Sequence, residues 1–518
     1  MFRTVSQRAS RAWAAAVVNG HRSLQTTATT ATARNPTPVA PLAPSFSKVM
    51  ATSPRPAEEE QLRWRFAADD RVRSMVARVE VSTRQTTTLT LNSSKPLTPA
   101  LVEEALQHLY DKVESLRLCF RLRDGQLWLA DMPHRKLDFQ VVSGGDLEEQ
   151  HVLVRDSPFD LHDGPLWKAR LLPCPEDAEC HFPEVKATLP HQCHIVLSLH
   201  HAANDGMVVM MVTQLLIDIL DSLLQGLPVS SKQVGELYEG VKVREEEARI
   251  RAALLQDPER LVKALRQHVN SKRLPLLMET FGLPKTEEWT TKNLPLVVLD
   301  NQRMEKFAAK CRSVGATINA GFTAIINMGL VELAQEAGLH RDVYYLSSNH
   351  PVDCRRFIKD SQNIPLGYHS IPITQSTATP RDVKEHFWEY VKTLDAELRD
   401  KIKRNYNCEE RLLDTMLRPQ DYTHEAHSVL RQLPSCDYIF SNLYSPRTSY
   451  AGAGKCVQLT SAANYMTIHN EKFSMGVGLF SFRGHARLQL AYSTAAVNKE
   501  VAYKFQEKIL ALFNELVS

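Results

Sequence analysis

The most informative stretch of this sequence is Cys193-His-Ile-Val-Leu-Ser-Leu-His-His-Ala-Ala-Asn-Asp-Gly206. Its first seven residues predict a short apolar strand that runs directly into His200 and His201. The following segment, Met207–Leu224, is apolar nearly all round its first three turns, which predicts a buried helix. A strand that ends in two histidines, followed by a turn and a buried helix, holds imidazole rings on a rigid platform.

His201 is the candidate general base of this run. An imidazole that keeps one ring nitrogen as an acceptor can remove a proton from a hydroxyl or an amine. Structural interpretations are open as well, because Asp205 is a good helix N-cap and His200 could be a core histidine. Gly206 is expected to relieve crowding in the turn, since it has no Cβ. No metal site is predicted, because adjacent strand residues point to opposite faces.

Length and composition narrow the possible classes of protein. A chain of 518 residues predicts two domains or two halves of one large unit. The net charge is only +3, from 62 basic and 59 acidic residues, so nucleic acid is not an expected partner. The 9 cysteines are scattered without a C-x-x-C pair, which is typical of reduced thiols and gives no zinc-ligand spacing.

The amino terminus differs in composition from the rest of the chain. Residues 1–57 contain no Asp or Glu but many Arg, Ser, Thr and Ala, which is typical of an organelle transit peptide. We therefore predict a transit peptide or disordered linker over residues 1–60 and a mitochondrial location, with a cytoplasmic location as the alternative. Met50 could serve as an internal start. No later run reaches the roughly 18 apolar residues of a membrane span.

Strands and helices are mixed along the remainder, which predicts the α/β class. We divide it into an amino-terminal lobe over residues 61–228, a charged helical crossover over 229–294 and a carboxy-terminal lobe over 295–518. Local patterns support this division. They include a helix that opens at Thr98-Pro99, a hairpin that turns at Asp124-Gly125, helices over Asn301–Ser313 and 319–334, and a closing helix over 499–516.

The central run matches the signature H-H-x-x-x-D-G, and the chain resembles the superfamily of condensation domains, chloramphenicol acetyltransferases and alcohol acyltransferases. Other segments match the family pattern in the family's order, over roughly residues 65–518. These segments are Leu116-Arg117 with Phe120, Pro158-Phe-Asp-Leu161, Gly164-Pro-Leu166, Gly315-Ala-Thr-Ile-Asn319, Pro351-Val-Asp-Cys-Arg355 with Leu366-Gly367, and Phe440-Ser-Asn-Leu443.

The resemblance implies two chloramphenicol-acetyltransferase-like lobes with an active-site tunnel between them. It also implies that His201 deprotonates the acceptor for attack on an acyl thioester, and that Asp205 holds the loop through a salt bridge to Arg355. Ser441 and Asn442 would lie opposite His201 and help to stabilise the oxyanion. Tyr444 departs from the pattern, because the family usually has Gly there.

The function implied first is the transfer of an acyl group from acyl-CoA to the hydroxyl of a small or lipid-like alcohol. The alternatives are transfer to an amine, condensation that depends on an acyl-carrier protein, and a non-catalytic relative that binds an acyl ligand or a partner protein. The thioester would be a co-substrate, with no permanently bound cofactor and no metal. We expect a monomer, because two lobes in one chain can build the tunnel.

Overall fold

The computed structural model describes residues 62–77, 84–144, 146–286, 289–358, 363–417, 434–443, 454–468 and 472–517. The predicted transit segment and Tyr444 lie outside these ranges. Sheets flanked by helices make up the described chain, so the predicted α/β class is confirmed.

Strands and helices alternate through the first half of the chain. They are β1 (Trp64–Ala67), α1 (Asp70–Ala77), β2 (Arg84–Ser93), α2 (Pro99–Lys112), β3 (Leu118–Arg123), β4 (Gln126–Asp131), β5 (Phe139–Val141), α3 (Leu147–Asp156), β6 (Trp167–Pro173), α4 (Pro183–Thr188), β7 (His191–His200) and α5 (Gly206–Leu224). The predicted hairpin is present, since β3 and β4 are separated by Asp124 and Gly125, both at positive φ.

Helices dominate the connecting region, and a second mixed half follows it. The connecting elements are β8 (Glu236–Leu237), α6 (Val241–Gln256), α7 (Pro258–Ser271), α8 (Leu276–Phe281) and β9 (Thr291–Asn293). The second half comprises β10 (Val297–Val298), α9 (Asn301–Ser313), α10 (Ile318–Glu336), β11 (Val343–Asp353), β12 (Pro365–Leu366), β13 (Ser370–Pro380), α11 (Phe387–Lys403), α12 (Tyr406–Met416), β14 (Cys436–Leu443), β15 (Val457–Tyr465), β16 (Phe473–Phe482), β17 (His485–Ser493) and α13 (Lys499–Leu516).

The first sheet has the strand order β15-β2-β7-β6-β5. Helix α5 packs against α2 and β15, and its inner face is buried at Val208, Val212, Leu216 and Leu220. The prediction of a buried helix after Gly206 is therefore confirmed. Among the described helices, α5 alone has the length and apolar composition of a membrane span; α9 and α10 would qualify only as one span bent by 105°.

The second sheet has the strand order β10-β17-β16-β14-β11-β13, and β9 also pairs with β17. Helix α10 is the centre of its core, because nearly every residue from Ala320 onward is buried. A Cβ at Gly321 would lie 2.8 Å from both Cys311 Sγ and Phe307 Cζ, so the glycine allows α9 to approach α10 closely.

Strand β15 crosses from the second half of the chain into the first sheet. It pairs with β2 in antiparallel register from Val457 opposite Ser93 to Tyr465 opposite Thr86. Asp221 of α5 secures the start of the strand, because its Oδ1 accepts hydrogen bonds from the Cys456 and Val457 amides at 2.6 and 2.8 Å. The part of the chain over 295–518 thus contributes strands to both sheets, while the division into lobes stays a prediction.

Candidate active site

His201 lies in the turn after β7, and its ring has a defined tautomer. Nδ1 is 2.8 Å from the carbonyl oxygen of Asn204, which can only accept, so Nδ1 carries the proton. Nε2 therefore keeps its lone pair. The side chain is half-buried, and the edge of the ring meets the Tyr368 ring at a centroid distance of 5.1 Å. The geometry gives His201 the acceptor nitrogen that a general base needs.

His200 points into the core, on the other side from His201. Its ring is fully buried and meets Phe120 and Phe159 edge-on, at centroid distances of 5.8 and 5.5 Å. Its Nδ1 accepts a hydrogen bond from the Ala202 amide at 3.1 Å. Two of the segments in the resemblance thus meet here, because each contributes one of the phenylalanines. His200 therefore has the structural role of a core histidine.

Asp205 has both of the structural roles that the sequence left open. Its Oδ1 accepts from the Val208 amide at 3.2 Å, which caps the first turn of α5. The same carboxylate forms two hydrogen bonds with the Arg355 guanidinium, at 2.7 and 3.1 Å, so the expected ion pair is present. The His369 amide donates a further bond to Oδ2 at 3.0 Å. Asp205 therefore links the loop of His201 to the second half of the chain.

Arg355 is held from several sides. Besides Asp205, its guanidinium donates to the carbonyl oxygen of Pro365 at 2.9 and 3.0 Å and to Asp353 Oδ1 at 3.1 Å. Burial disfavours the charged guanidinium, but the hydrogen bond and the charge of Asp205 outweigh it and raise the pKa of Arg355. The cation is thus firmly charged where it holds the loop.

The structure does not support the predicted steric need for a glycine at position 206. An added Cβ would lie 3.4 Å from Leu443 Cδ1 and 4.0 Å from Gln85 Nε2, which are ordinary contacts. Gly206 is also absent from the glycines at positive φ. The turn itself does not require a glycine, because Asp205 is already extended and α5 begins in normal helical geometry.

Ser441 and Asn442 lie near the end of β14, and the next residue, Leu443, approaches Gly206. The Asn442 amide donates to Asn319 Oδ1 at 3.4 Å. Asn319 in turn donates to the ring of buried His350 at 3.4 Å. The β14 terminus is thus brought to the His201 loop, while the oxyanion role of its two polar residues stays a prediction.

Two residues beside His201, Gln85 and Tyr368, were not predicted from the sequence. Gln85 of β2 places its amide nitrogen 3.4 Å from His201 Nε2. Tyr368 follows the Leu366-Gly367 pair of the resemblance, which was the one available signal. The Arg71 guanidinium lies over the Tyr368 ring, 5.8 Å from its centroid, and is paired with buried Asp69. The charge of Arg71, acting against the effect of burial, lowers the pKa of Asp69 to about 2.

The buried cysteines are poor candidates for a nucleophile. Burial raises the pKa of Cys193 and Cys436 to about 12 and that of Cys354 to about 11. A thiol with so high a pKa has almost no thiolate near neutral pH. The imidazole of His201 therefore remains the best-placed reactive group in this part of the site.

Comparison with known proteins identifies the family. The family model described as the condensation domain matches residues 80–339, half of the chain. None of the curated proteins compared with the chain matches it.

Solved structures agree with this match at the level of the fold. The condensation domain of the monacolin K polyketide synthase MokA has 12% identity and a TM-score of 0.61, covering 88% of this chain and 97% of that chain. The first condensation domain of the calcium-dependent antibiotic synthetase, in complex with a substrate analogue, has 14% identity and a TM-score of 0.60, covering 88% and 96%. A mutant starter condensation domain of the rhizomide synthetase RzmA, in complex with C8-CoA and Leu-SNAC, has 13% identity and a TM-score of 0.56, covering 89% and 95%. The expected two-lobed fold is confirmed; the implied tunnel stays a prediction.

Proposed function

Because the chain belongs to the condensation-domain family, we propose that it transfers an acyl group from a thioester to an amine or a hydroxyl. The product is an amide or an ester, and the second product is the free thiol. Transfer from acyl-CoA to an alcohol, the function expected first, is one case of this reaction. Membership of the family favours the wider proposal, in which the acceptor can be an amine and the donor can be bound to a carrier protein.

The proposed step uses one base and no covalent acyl-enzyme. His201 Nε2 takes the proton from the acceptor as its oxygen or nitrogen bonds to the thioester carbonyl carbon. The tetrahedral intermediate then collapses, the C–S bond breaks, and the leaving thiolate takes the proton back from His201. The thiolate is a good leaving group, so positioning of the two substrates and one proton transfer are sufficient.

The observation that carries this proposal is the hydrogen bond from His201 Nδ1 to the Asn204 carbonyl at 2.8 Å. It fixes the tautomer and directs the Nε2 lone pair away from the loop. Asp205 supports the arrangement through Arg355 rather than through the histidine, since its carboxylate binds the guanidinium and the start of α5. Asp205 is accordingly a positioning residue in the proposed mechanism.

The test is an assay of thiol release with the purified full chain. The donors are acyl-CoAs of several lengths, beginning with C8-CoA because the RzmA domain was crystallised with it, and the acceptors are panels of amines and alcohols. We expect thiol release that depends on the acceptor, with the matching amide or ester identified by mass spectrometry. His201→Ala should lower the rate by about 10²–10⁴-fold.

His134→Ala, at an exposed position, is the matched control and should retain the wild-type rate. Full activity of His201→Ala would overturn the role of the base. If the wild type binds acyl-CoA but never releases thiol, with free donors or with donors bound to carrier proteins, the alternative of a non-catalytic binding protein would be favoured.

A further inference from the structure

Gln85 is a polar side chain at His201 Nε2 to which the proposed function gives no role. It is the second residue of β2 and lies opposite Leu199 of β7 in the antiparallel register. The pairing of these two strands places its amide nitrogen 3.4 Å from His201 Nε2. A residue 116 positions away in the chain is thus brought to the reactive nitrogen by the sheet.

The tautomer of His201 decides which way the Gln85 amide faces. Since Nδ1 donates to the Asn204 carbonyl, Nε2 can only accept, and the group turned toward it must be the amide NH₂. The amide oxygen Oε1 then faces away from the ring. That oxygen is buried and has no hydrogen-bond partner among the described residues. Orienting the amide this way thus leaves a buried acceptor without a hydrogen bond, which is unfavourable.

The contact between the amide and the imidazole is loose. The distance of 3.4 Å between the two nitrogens is longer than the range of about 2.7–3.2 Å that is typical of an N–H···O hydrogen bond. A hydroxyl or amine that binds to Nε2 at normal distance can therefore displace the amide at little cost. The displaced NH₂ group would remain within reach of the atoms that react at this nitrogen.

The surroundings of the Gln85 amide also place it close to the atoms that would react at His201 Nε2. Gly206 and Leu443 lie beside it, since a Cβ at Gly206 would be 4.0 Å from Gln85 Nε2 and 3.4 Å from Leu443 Cδ1. The amide thus sits between the base, the start of α5 and the end of β14. A thioester carbonyl must enter this space to meet an acceptor held by His201.

We propose that Gln85 is a further catalytic residue of this site. In the free protein its amide N–H caps the lone pair of His201 Nε2. When the acceptor takes that place, the same N–H donates to the carbonyl oxygen of the thioester as negative charge develops on it. The second part of this proposal rests on the proposed function; the first part does not.

The variants Gln85→Glu and Gln85→Met test the two parts separately. Gln85→Glu places a carboxylate beside Nε2 and should favour the protonated imidazole, because an opposite charge at this distance shifts titrations by about one unit or more. The readout is the ¹⁵N titration of the His201 ring in the free protein, with the signal identified by its loss in His201→Ala. The midpoint should move to higher pH. The other groups near the ring, Tyr368 with its Arg71 and the Asp205–Arg355 pair, are left unchanged.

Catalysis is read from kcat and KM for the best substrate pair of the thiol-release assay. Gln85→Met keeps the bulk of the side chain but has no N–H donor, so kcat should fall by about 10²–10³-fold while KM changes little. The matched controls are Gln192→Glu and Gln192→Met at the far end of β7, opposite Asn92. Both should behave as the wild type does.

An unchanged His201 titration in Gln85→Glu would overturn the contact in the free protein. An unchanged kcat in Gln85→Met, with the wild type active, would overturn the role in catalysis. If the wild type shows no turnover with any donor, the proposed function and the catalytic part fail together, and the titration still decides the contact. Thermal melting of each variant separates a local effect from loss of the fold.

Discussion

The chemistry of the site depends on a few single atoms. One hydrogen bond, from His201 Nδ1 to the Asn204 carbonyl, decides which ring nitrogen can accept a proton. The neighbouring histidine has an identical side chain but is enclosed by Phe120 and Phe159. The two side chains point in different directions, because His200 is the last residue of β7 and His201 is the first residue of the turn. Only the second is partly exposed, as the proposed general base must be.

The ion pair between Asp205 and Arg355 supports a prediction at the same scale. Arg355→Ala would leave a buried carboxylate without its cation, although the Val208 and His369 amides would remain. Removing one partner of a buried pair typically costs about 3–5 kcal/mol. We therefore expect a clear fall in the free energy of unfolding, measured by denaturant titration, together with a lower kcat.

The adjacent Arg356 is exposed and contacts Asn405 and Asn407, so Arg356→Ala is the matched control and should unfold nearly as the wild type does. Equal stability of the two variants would show that the pair contributes nothing specific.

His151 provides a pH-dependent prediction. It is buried in α3, where Nδ1 is 2.9 Å from Thr88 Oγ1 and the ring packs on Tyr465 of β15. Burial lowers the pKa of His151 to about 3, against about 6.5 in the unfolded chain. Between these values the unfolded chain binds a proton that the folded protein does not. The contribution of His151 to stability is therefore lost as the pH falls below about 6.5.

The free energy of unfolding of the wild type should fall between pH 6.5 and pH 5. We expect this fall to be smaller by about 2 kcal/mol in His151→Gln. Glutamine can still accept the hydrogen bond from Thr88. The measurement is denaturant unfolding at each pH, with His134→Gln at an exposed position as the control. Parallel pH profiles for the wild type and His151→Gln would contradict the prediction.

At the scale of elements, β15 is the strand that joins the two halves. Its start is secured by the two backbone amides that donate to Asp221 of α5. Asp221→Ala should leave those amides without their acceptor and loosen the strand. We expect faster hydrogen exchange over 457–465, with little change in β16 and β17.

Asp218 lies one turn earlier on α5, is exposed, and accepts a bond from Gln214 within the same helix. Asp218→Ala is therefore the matched control and should leave exchange in β15 unchanged. Protection that is equal in the two variants would mean that strand pairing alone holds β15.

For the whole molecule, the predicted transit segment can be tested without the folded part. A fusion of residues 1–57 to a fluorescent reporter should enter mitochondria, because a basic, acid-free segment is typical of import signals. The control replaces Arg3, Arg8, Arg11 and Arg22 with Ala, and it should remain in the cytosol. Cytosolic fluorescence of the unaltered fusion would contradict the prediction.

The structure also shows which elements could be predicted from local sequence patterns and which could not. Several helices were predicted closely, including Asn301–Ser313 and the closing helix Lys499–Leu516, because periodic burial and N-caps are recorded within a few residues. The position of β15 was not predicted, because the sequence of a strand does not show which other strand it pairs with. The prediction that a Cβ would be crowded at position 206 was wrong for a related reason. The nearest neighbours of that position, Leu443 and Gln85, belong to strands far away in the chain.

The α/β class and the strand and helix around His201 could be predicted from the sequence, and Asp205 could be recognised as a candidate N-cap, because each depends on neighbours along the chain. The family resemblance implied the pair of Asp205 with Arg355, which the structure contains. Three features become visible only in the folded chain: Gln85 faces His201, Tyr368 borders the same ring, and β15 is an edge strand of the first sheet. These depend on contacts between residues far apart in the chain, and the backbone hydrogen bonds that pair two strands are available to nearly every residue.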